Sequence, residues 1–154
     1  MSEQEAPVFT IEKLYVKDLS LEVPNAPQCF LERESPEVDV QLQTTGNAIG
    51  DGIFDVSLTV TVSAKHGEKT YFLVEVAQAG LFQIRNVPES EFEPIIAVAC
   101  PNILFPFARE AVADAISRAG FAPVLLAPVN FEHAYRQRKA ADQEGATAGA
   151  VPIQ

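Results

Sequence analysis

The chain has few of the residues from which metal and redox sites are built. It contains two cysteines and two histidines in 154 residues. Cys29 and Cys100 form neither a CxxC pair nor a dense disulfide pattern, so we expect two free thiols. His66 and His133 lie outside any Cys/His cluster with metal-ligand spacing. The sequence therefore predicts neither a metal site nor a cofactor.

Long apolar runs and targeting signals are also missing. No uninterrupted apolar stretch reaches about 18 residues, and the start MSEQEAPVFTIEK lacks a basic segment followed by an apolar one. With 47% hydrophobic residues the chain is too apolar for a disordered protein, and charges interrupt it too often for a membrane protein. We expect a folded cytoplasmic protein without direct membrane insertion.

Basic residues are scarce compared with acidic ones. The chain has 21 acidic and 11 basic residues, which gives a formal net charge of −10. This charge repels nucleic-acid phosphates and anionic lipid headgroups, so we expect no nucleic-acid partner and favour basic partners. The same charge also serves solubility alone, so it does not identify a partner by itself.

The motifs of common enzymes are absent as well. There is no G-x-S-x-G, GxGxxG or GxxxxGK[ST], and the glycines of 46–52 lie in a predicted turn rather than at a helix start. Cys100 and His133 could be imagined as a nucleophile and its base, but the apolar neighbours of the cysteine favour core packing. Glu91 and Glu93 fit a helix terminus better than an acid and base pair. We expect no enzyme.

Alternating apolar and polar residues predict an antiparallel sheet of four strands. Residues 8–23 form the first strand, in which Asp18 and Glu22 project from one face about 13 Å apart. A proline-containing connection follows, with apolar residues at 29–31 that either pack back on the domain or contact a ligand. Three further strands are predicted at 38–44, 53–63 and 70–84, with turns at 45–52 and 64–69.

After Pro88 the pattern becomes helical. We expect a helix broken near Pro101 and restarted with Asn102 as its cap, ending at Gly120. Asn130 should cap a short second helix. Together these elements predict an α+β domain, in which a four-stranded antiparallel sheet packs on a long kinked helix and a short C-terminal helix. Its predicted limits are 8–140, between a flexible start at 1–7 and a disordered tail at 141–154.

A stripe of small residues follows the long helix at helical spacing. Small side chains let another helix approach closely, so the stripe is a candidate oligomer interface. Packing on the chain's own sheet is the alternative explanation. The predicted interface residues are Leu104, Ala108, Ala111 and Ala115.

Two segments resemble a known family. CPNILFPFARE at 100–110 and LAPVNFEHAY at 126–135 are similar to the most recognisable stretch of the SecB export chaperones. KDLSLEVPNAP at 17–27 resembles that family's first strand and crossover loop, and YFLVEVAQAGLF at 71–82 its fourth strand. The resemblance covers nearly everything except the tail.

The resemblance implies a noncatalytic chaperone that needs no cofactor or ATP. It implies a homotetramer, built as a dimer of dimers, that binds unfolded precursor polypeptides by their apolar segments and docks on the translocation ATPase SecA. Apolar contacts and main-chain hydrogen bonds suit a groove that accepts many sequences. The family also includes members with a specialised antitoxin-guarding role.

The family's functional positions carry over to two sets of residues. The SecA contact corresponds to acidic and apolar positions of the sheet, namely Asp18, Glu22, Leu73 and Glu75. The client groove is expected between the crossover loop and the helices, although any of its residues could equally belong to the core. Its predicted residues are Phe30, Leu31, Val40, Leu42, Leu126, Phe131 and Tyr135.

Two departures and one competing hypothesis accompany this resemblance. Glu34 stands where a large apolar residue is expected, and the tail carries only Asp142 and Glu144 as acids, which bears on any contribution of the tail to SecA docking.

The competing hypothesis is a noncatalytic small-ligand or regulatory binding domain, with residues 29–31 as a lid over a pocket. A thermal-shift screen with metabolites separates the two.

Overall fold

A computed structural model describes residues 5–148. Four antiparallel strands form one sheet in the spatial order β1-β4-β3-β2. The bounds are β1 Val8–Glu22, β2 Glu37–Gly50, β3 Ile53–His66 and β4 Lys69–Arg85. The segment 23–36, here called the crossover segment, carries the chain from one edge of the sheet to the other and contains a short 3₁₀ turn at Gln28–Leu31. The predicted four-stranded sheet is confirmed.

The second strand is longer than expected. The sequence predicted a turn at 45–52, whereas β2 continues to Gly50 and the turn is confined to Asp51 and Gly52. Gly46 lies within the strand, and a helix passes close above it: a Cβ atom there would lie 2.8 Å from a methyl carbon of Ile96, so the position favours glycine. Gly52 has a φ of +70°, which glycine adopts without steric cost.

The helices cover one face of the sheet. The segment Glu89–Arg118 is a continuous helix, here called the long helix, which consists of α1 Glu89–Pro94, a π-helical part Ile95–Ala99 and α2 Cys100–Arg118. The expected break at Pro101 with a cap at Asn102 is therefore wrong. In a regular α-helix the ring of Pro101 would clash with the carbonyl of Ala97, four residues earlier. Ala97 lies in the wider π-helical part Ile95–Ala99.

The last helix, α3, extends over Phe131–Ala148. The Asn130 cap is confirmed, since its side-chain oxygen accepts a 2.9 Å hydrogen bond from the backbone nitrogen of His133. The expected disorder of 141–148 is wrong, because the helix continues through residues with good helix propensity such as Ala141 and Gln143. Residues 1–4 and 149–154 of the predicted termini lie outside the described part.

The core lies between the long helix and the two central strands. The inner face of the sheet, which faces the helices, carries Val56, Leu58, Val60 and Val62 of β3, all fully buried. The edge strands are less covered, because the helix packs mainly on β3 and β4. The outer face carries polar residues such as Thr61 and Glu75 together with apolar ones such as Leu73. One sheet covered on one side by helices is the layer arrangement expected of an α+β domain.

Candidate functional site

The outer face of the sheet brings the four predicted SecA-contact residues together. Glu22 of β1 lies directly opposite Leu73 of β4, and Ser20 lies opposite Glu75. Directly opposite residues of antiparallel strands share a face. Asp18, opposite Ala77, continues the row along β1. We call the surface formed by Asp18, Glu22, Leu73 and Glu75 the acidic surface.

The acidic surface combines exposed charge with apolar area. Asp18 and Glu22 are exposed, and Leu73 and Glu75 are half-buried. The carboxylate of Glu75 accepts a 3.0 Å hydrogen bond from the hydroxyl of Thr61 on β3, which limits its side-chain freedom. A leucine flanked by carboxylates suits a partner surface that is basic and partly apolar.

A cavity of about 500 Å³ opens on the inner side beside β2. Its wall includes Leu42, Phe131 and Tyr135, three residues of the predicted client groove. Val40 projects from the same face of β2 as Leu42, one pleat along the strand, and is exposed. β2 is an edge strand of the sheet, so along residues 37–50 no strand among the described residues pairs with its outer edge.

The first turns of α3 close one end of this cavity. The ring of Phe131 packs edge-on against Phe105 of the long helix, with the ring centroids 5.9 Å apart. Lys139 donates a 3.2 Å hydrogen bond to the Tyr135 hydroxyl and lies 3.8 Å from the carboxylate of Glu93 in α1. These contacts position Tyr135 over the cavity.

An aromatic cluster marks the opposite end of the same inner edge. Phe30 of the crossover segment packs on Phe121, with ring centroids 5.1 Å apart, and Phe121 packs on Phe72 at 5.0 Å. Phe72, Ala64 and Val38 are directly opposite one another on β4, β3 and β2. Val38, Val40 and Leu42 therefore connect the cluster to the cavity. We call this path the inner groove.

The other predicted groove residues divide between surface and core. Leu31 is 83% exposed, beside Phe30 in the crossover segment. Leu126 and most of Phe131 are buried in the core, so Leu126 is not available as a groove contact. The carboxylate of Glu34, which stands where a large apolar residue was expected, lies 3.5 Å from the imidazole of His66 and is exposed.

Phe121, Val129 and Ala97 belong to the groove but were not predicted. Val129 and Ala97 line the cavity, and Phe121 is the centre of the aromatic cluster. Phe121 and Val129 belong to FAPVLLAPV, an apolar connection bounded by prolines. Apolar residues in a surface connection were the signal used for residues 29–31, and the same signal would have found these two.

Most of the stripe of small residues on the long helix packs on the chain's own sheet. Leu104, Ala108 and Ala115 are buried against the chain's own sheet, and among the four predicted interface residues only Ala111 is partly exposed. The prediction is therefore wrong for three residues. Small side chains on the inner stripe let the helix approach its own sheet closely, which was the alternative explanation.

Cys100 is placed where it cannot act as a nucleophile. The thiol is fully buried, and burial raises its pKa to about 12. His133 is exposed on α3. A thiol with this pKa stays protonated at neutral pH, and the thiolate is the reactive form. Cys100 therefore belongs to the core.

Comparison with known proteins identifies the family. The family model described as "Preprotein translocase subunit SecB" matches residues 2–142. Three curated relatives carry the description "Protein-export protein SecB". That of Dechloromonas aromatica is 68% identical over the whole of both chains. That of Azoarcus sp. is 62% identical and covers 96% of this chain and 99% of its own. That of Neisseria gonorrhoeae is 57% identical, with coverages of 95% and 100%.

A solved structure shares the fold. It is a SecB-like chaperone of Mycobacterium tuberculosis in complex with a peptide from an antitoxin, and it superposes with a TM-score of 0.65 at 18% identity. The match covers 79% of this chain and 90% of the other. At this identity the likeness concerns the arrangement of the sheet and helices.

Proposed function

Because the chain belongs to the SecB family of protein-export chaperones, we propose that it binds unfolded precursor proteins in the inner groove and hands them to SecA. It acts in the cytoplasm, before export, and holds its clients without ATP. The observation that carries this proposal is the open cavity walled by Leu42, Phe131 and Tyr135 beside an edge strand.

The groove suits unfolded chains for a physical reason. Apolar contacts are nondirectional, and an unpaired strand edge offers main-chain donors and acceptors whatever the client's sequence. Each buried client Leu or Phe contributes about 1.5–3 kcal/mol before ordering costs, so one segment binds weakly. Several grooves on one assembly that engage one client multiply the affinity. Folded proteins bury their apolar segments and are not bound.

The small-ligand alternative receives less support. The cavity is lined by residues of β2, the long helix, the following connection and α3, and within the described part of the chain its lining includes none of residues 29–31. The proposed lid is instead anchored elsewhere, since Cys29 is buried and Phe30 packs on Phe121.

Light scattering during refolding of a urea-unfolded precursor tests the client proposal. The native protein should suppress aggregation without ATP. Leu42→Asp should weaken suppression, because it places a charge in the apolar groove. Gln41→Asp is the matched control, since it introduces the same group one residue away on the outer face of the same strand. Equal loss in both variants, or a requirement for ATP, would contradict the proposal.

We propose that the acidic surface docks SecA. It lies on the outer face of the sheet, whereas the inner groove lies between the sheet and the helices, so client and SecA can bind at the same time. Exposed carboxylates steer a basic partner toward this face, and Leu73 adds contact area that salt does not screen.

We also propose that the chain assembles as a tetramer. Apolar side chains of β1 on the inner face are exposed, including Leu19 at 54% and Val16 at 50%. On the long helix, Phe105 and Phe107 lie on opposite sides of the stripe that packs on the sheet. Phe105 contacts Phe131 near β2, so its side of the helix faces β2. The side that carries Phe107 therefore faces β1. Phe107 and Ala111 share this flank. A second copy of the chain can cover these residues together.

The composition of the long helix supports assembly. By length and composition alone it could cross a membrane, and 28% of its most apolar window is buried within the single chain. Its inner stripe packs on β3 and β4, as in a soluble core helix. Assembly of several copies would cover the apolar face of the helix that one chain leaves in water. Most soluble homo-oligomers are closed and symmetric.

A further inference from the structure

The first strand has two extra residues relative to its partner strand, one between Ile11 and Lys13 and one between Val16 and Asp18. Val16 lies opposite Gln78 and Asp18 lies opposite Ala77, so three residues of β1 face two of β4. Lys17 is the extra residue of this β-bulge. Bulges of this kind redirect side chains and are specific features of a fold rather than defects.

The bulge decides which face carries the acidic surface. If the pairing of Val16 with Gln78 continued without it, Asp18 would lie opposite Val76 and Glu22 opposite Phe72. Val76 and Phe72 are buried on the inner face. Because side chains alternate along a strand, a slip of one residue moves the whole set to the other face. The extra residue therefore turns Asp18 and Glu22 outward and Leu19 inward.

Asp55 of β3 holds the bulge from two strands away. Its carboxylate accepts a 2.7 Å hydrogen bond from the Tyr15 hydroxyl and forms an ion pair with the ammonium group of Lys17. Tyr15 lies opposite Ala79, a small residue that lets the phenol extend across β4. One carboxylate thus binds Lys17, the residue that forms the bulge, and Tyr15, two residues before it.

The protonation states favour this arrangement. The hydrogen bond to Asp55 raises the pKa of Lys17, and burial followed by the Asp55 hydrogen bond raises that of Tyr15. Lys17 therefore stays charged and Tyr15 stays a hydroxyl donor at neutral pH. The side chain of Asp55 is only 12% exposed, so it offers little surface to a partner.

We propose that Asp55 is a positioning residue for the acidic surface: by binding Tyr15 and Lys17 it fixes the bulge and thereby the face on which Asp18 and Glu22 are displayed. The role in SecA docking rests on the function proposed above, whereas the role in strand register does not. Asp55 acts through β1 and does not contact the partner.

The test combines Asp55→Leu with deletion of Lys17. Cross-strand NOEs in deuterated protein report the register: Glu22 should contact Leu73 in the native chain and lose this contact in Asp55→Leu. SecA affinity should fall by about tenfold or more, since the displaced charges no longer complement the partner. Deleting Lys17 in the same variant should restore both, because Val16 and Asp18 then pair with consecutive residues of β4 without a bulge. Asp39→Leu, an exposed carboxylate on the outer face of β2, is the matched control.

Each outcome decides the matter. An intact Glu22–Leu73 contact in Asp55→Leu overturns the proposal, whatever happens to SecA binding. Lost affinity with native register and no rescue by the deletion would make Asp55 a direct contact, which also overturns it. If Asp55→Leu does not fold, Lys17→Met removes the ion pair and is assayed by the same NOEs. If the native chain does not bind SecA, the docking proposal fails while the NOEs still test the register.

Discussion

The hydroxyl of Tyr71 on β4 donates a 2.7 Å hydrogen bond to the carboxylate of Glu32 in the crossover segment. The other oxygen of the same carboxylate accepts a 2.5 Å hydrogen bond from Lys69. One acidic side chain thus ties the crossover segment to the start of β4, beside the contact of Phe30 with Phe121. The segment that borders the inner groove is therefore anchored at a defined point.

This hydrogen bond predicts an unusual tyrosine titration. The bond to Glu32, followed by burial, raises the pKa of Tyr71 to about 12. The neutral phenol is favoured in the folded state, so its contribution to the free energy of unfolding is complete below the ordinary pKa of about 10 and is lost as pH rises to about 12. Ultraviolet difference titration against Tyr71→Phe should show ionisation near pH 12. Glu32→Gln should move it toward the ordinary value; an unmoved titration would contradict the assignment.

The same anchor predicts a change in local dynamics. Glu32→Ala removes the acceptor of both Lys69 and Tyr71, so the crossover segment should open more often. Hydrogen exchange of the amides of Cys29 and Phe30 should become faster, while exchange in β3 stays unchanged. Glu34→Ala is the matched control, because Glu34 is an exposed carboxylate of the same segment that pairs with the imidazole of His66. Equal acceleration in both variants would argue against a specific anchor.

The buried thiols should resist modification. Cys29 and Cys100 are buried, and burial raises the pKa of Cys100 to about 12. Because the reactive form is the thiolate, neither thiol should react with an aromatic disulfide reagent at pH 8 in the folded protein, and both should react in denaturant. Ser117→Cys, at an exposed helix position, should react at once. Rapid modification of a native thiol would show that the core opens readily.

The acidic surface predicts a specific salt dependence of SecA binding. Reversing the charges of Asp18 and Glu22 should weaken binding most at low salt, because exposed charges act within a Debye length of about 8 Å at physiological ionic strength. Leu73→Arg should weaken it at every salt concentration, since it removes apolar contact. Titration calorimetry with SecA and with an unfolded precursor checks both affinities. Loss of precursor binding in the same intact variants would contradict two separate surfaces.

The exposed flank of the long helix predicts how the chain assembles. Phe107→Glu should dissociate the tetramer, because assembly would bury an unpaired charge beside apolar β1 residues. Ala111→Glu, on the same flank, should act in the same direction. Ile49→Glu is the control, since Ile49 is also apolar and exposed but lies near the end of β2, away from the long-helix flank. Sedimentation velocity at micromolar concentration measures the result; a native monomer, or an unchanged Phe107→Glu assembly, would exclude this interface.

Local patterns of the sequence predict much of the fold. Alternation in 53–63 determined which residues of β3 face the core, and the helix limits at Gly120 and Asn130 follow from local backbone chemistry. Gly120 has a φ of +93°, a conformation that favours glycine. The two segments resembling SecB identified the family, which the comparisons confirm. These features depend on residues close together in the chain, so one sequence is enough to recognise them.

The tertiary structure decided what depends on distant residues. The stripe containing Leu104 and Ala108 was equally compatible with a partner helix and with the chain's own sheet, and only packing showed that the sheet covers it. The lack of room for a side chain at Gly46 depends on Ile96, which lies 50 positions later in the sequence. Alternation placed Asp18 and Glu22 on one face of β1, but the bulge at Lys17 and the carboxylate of Asp55 that binds it became visible only in the structure. Such contacts join side chains far apart in sequence, and no local pattern encodes them.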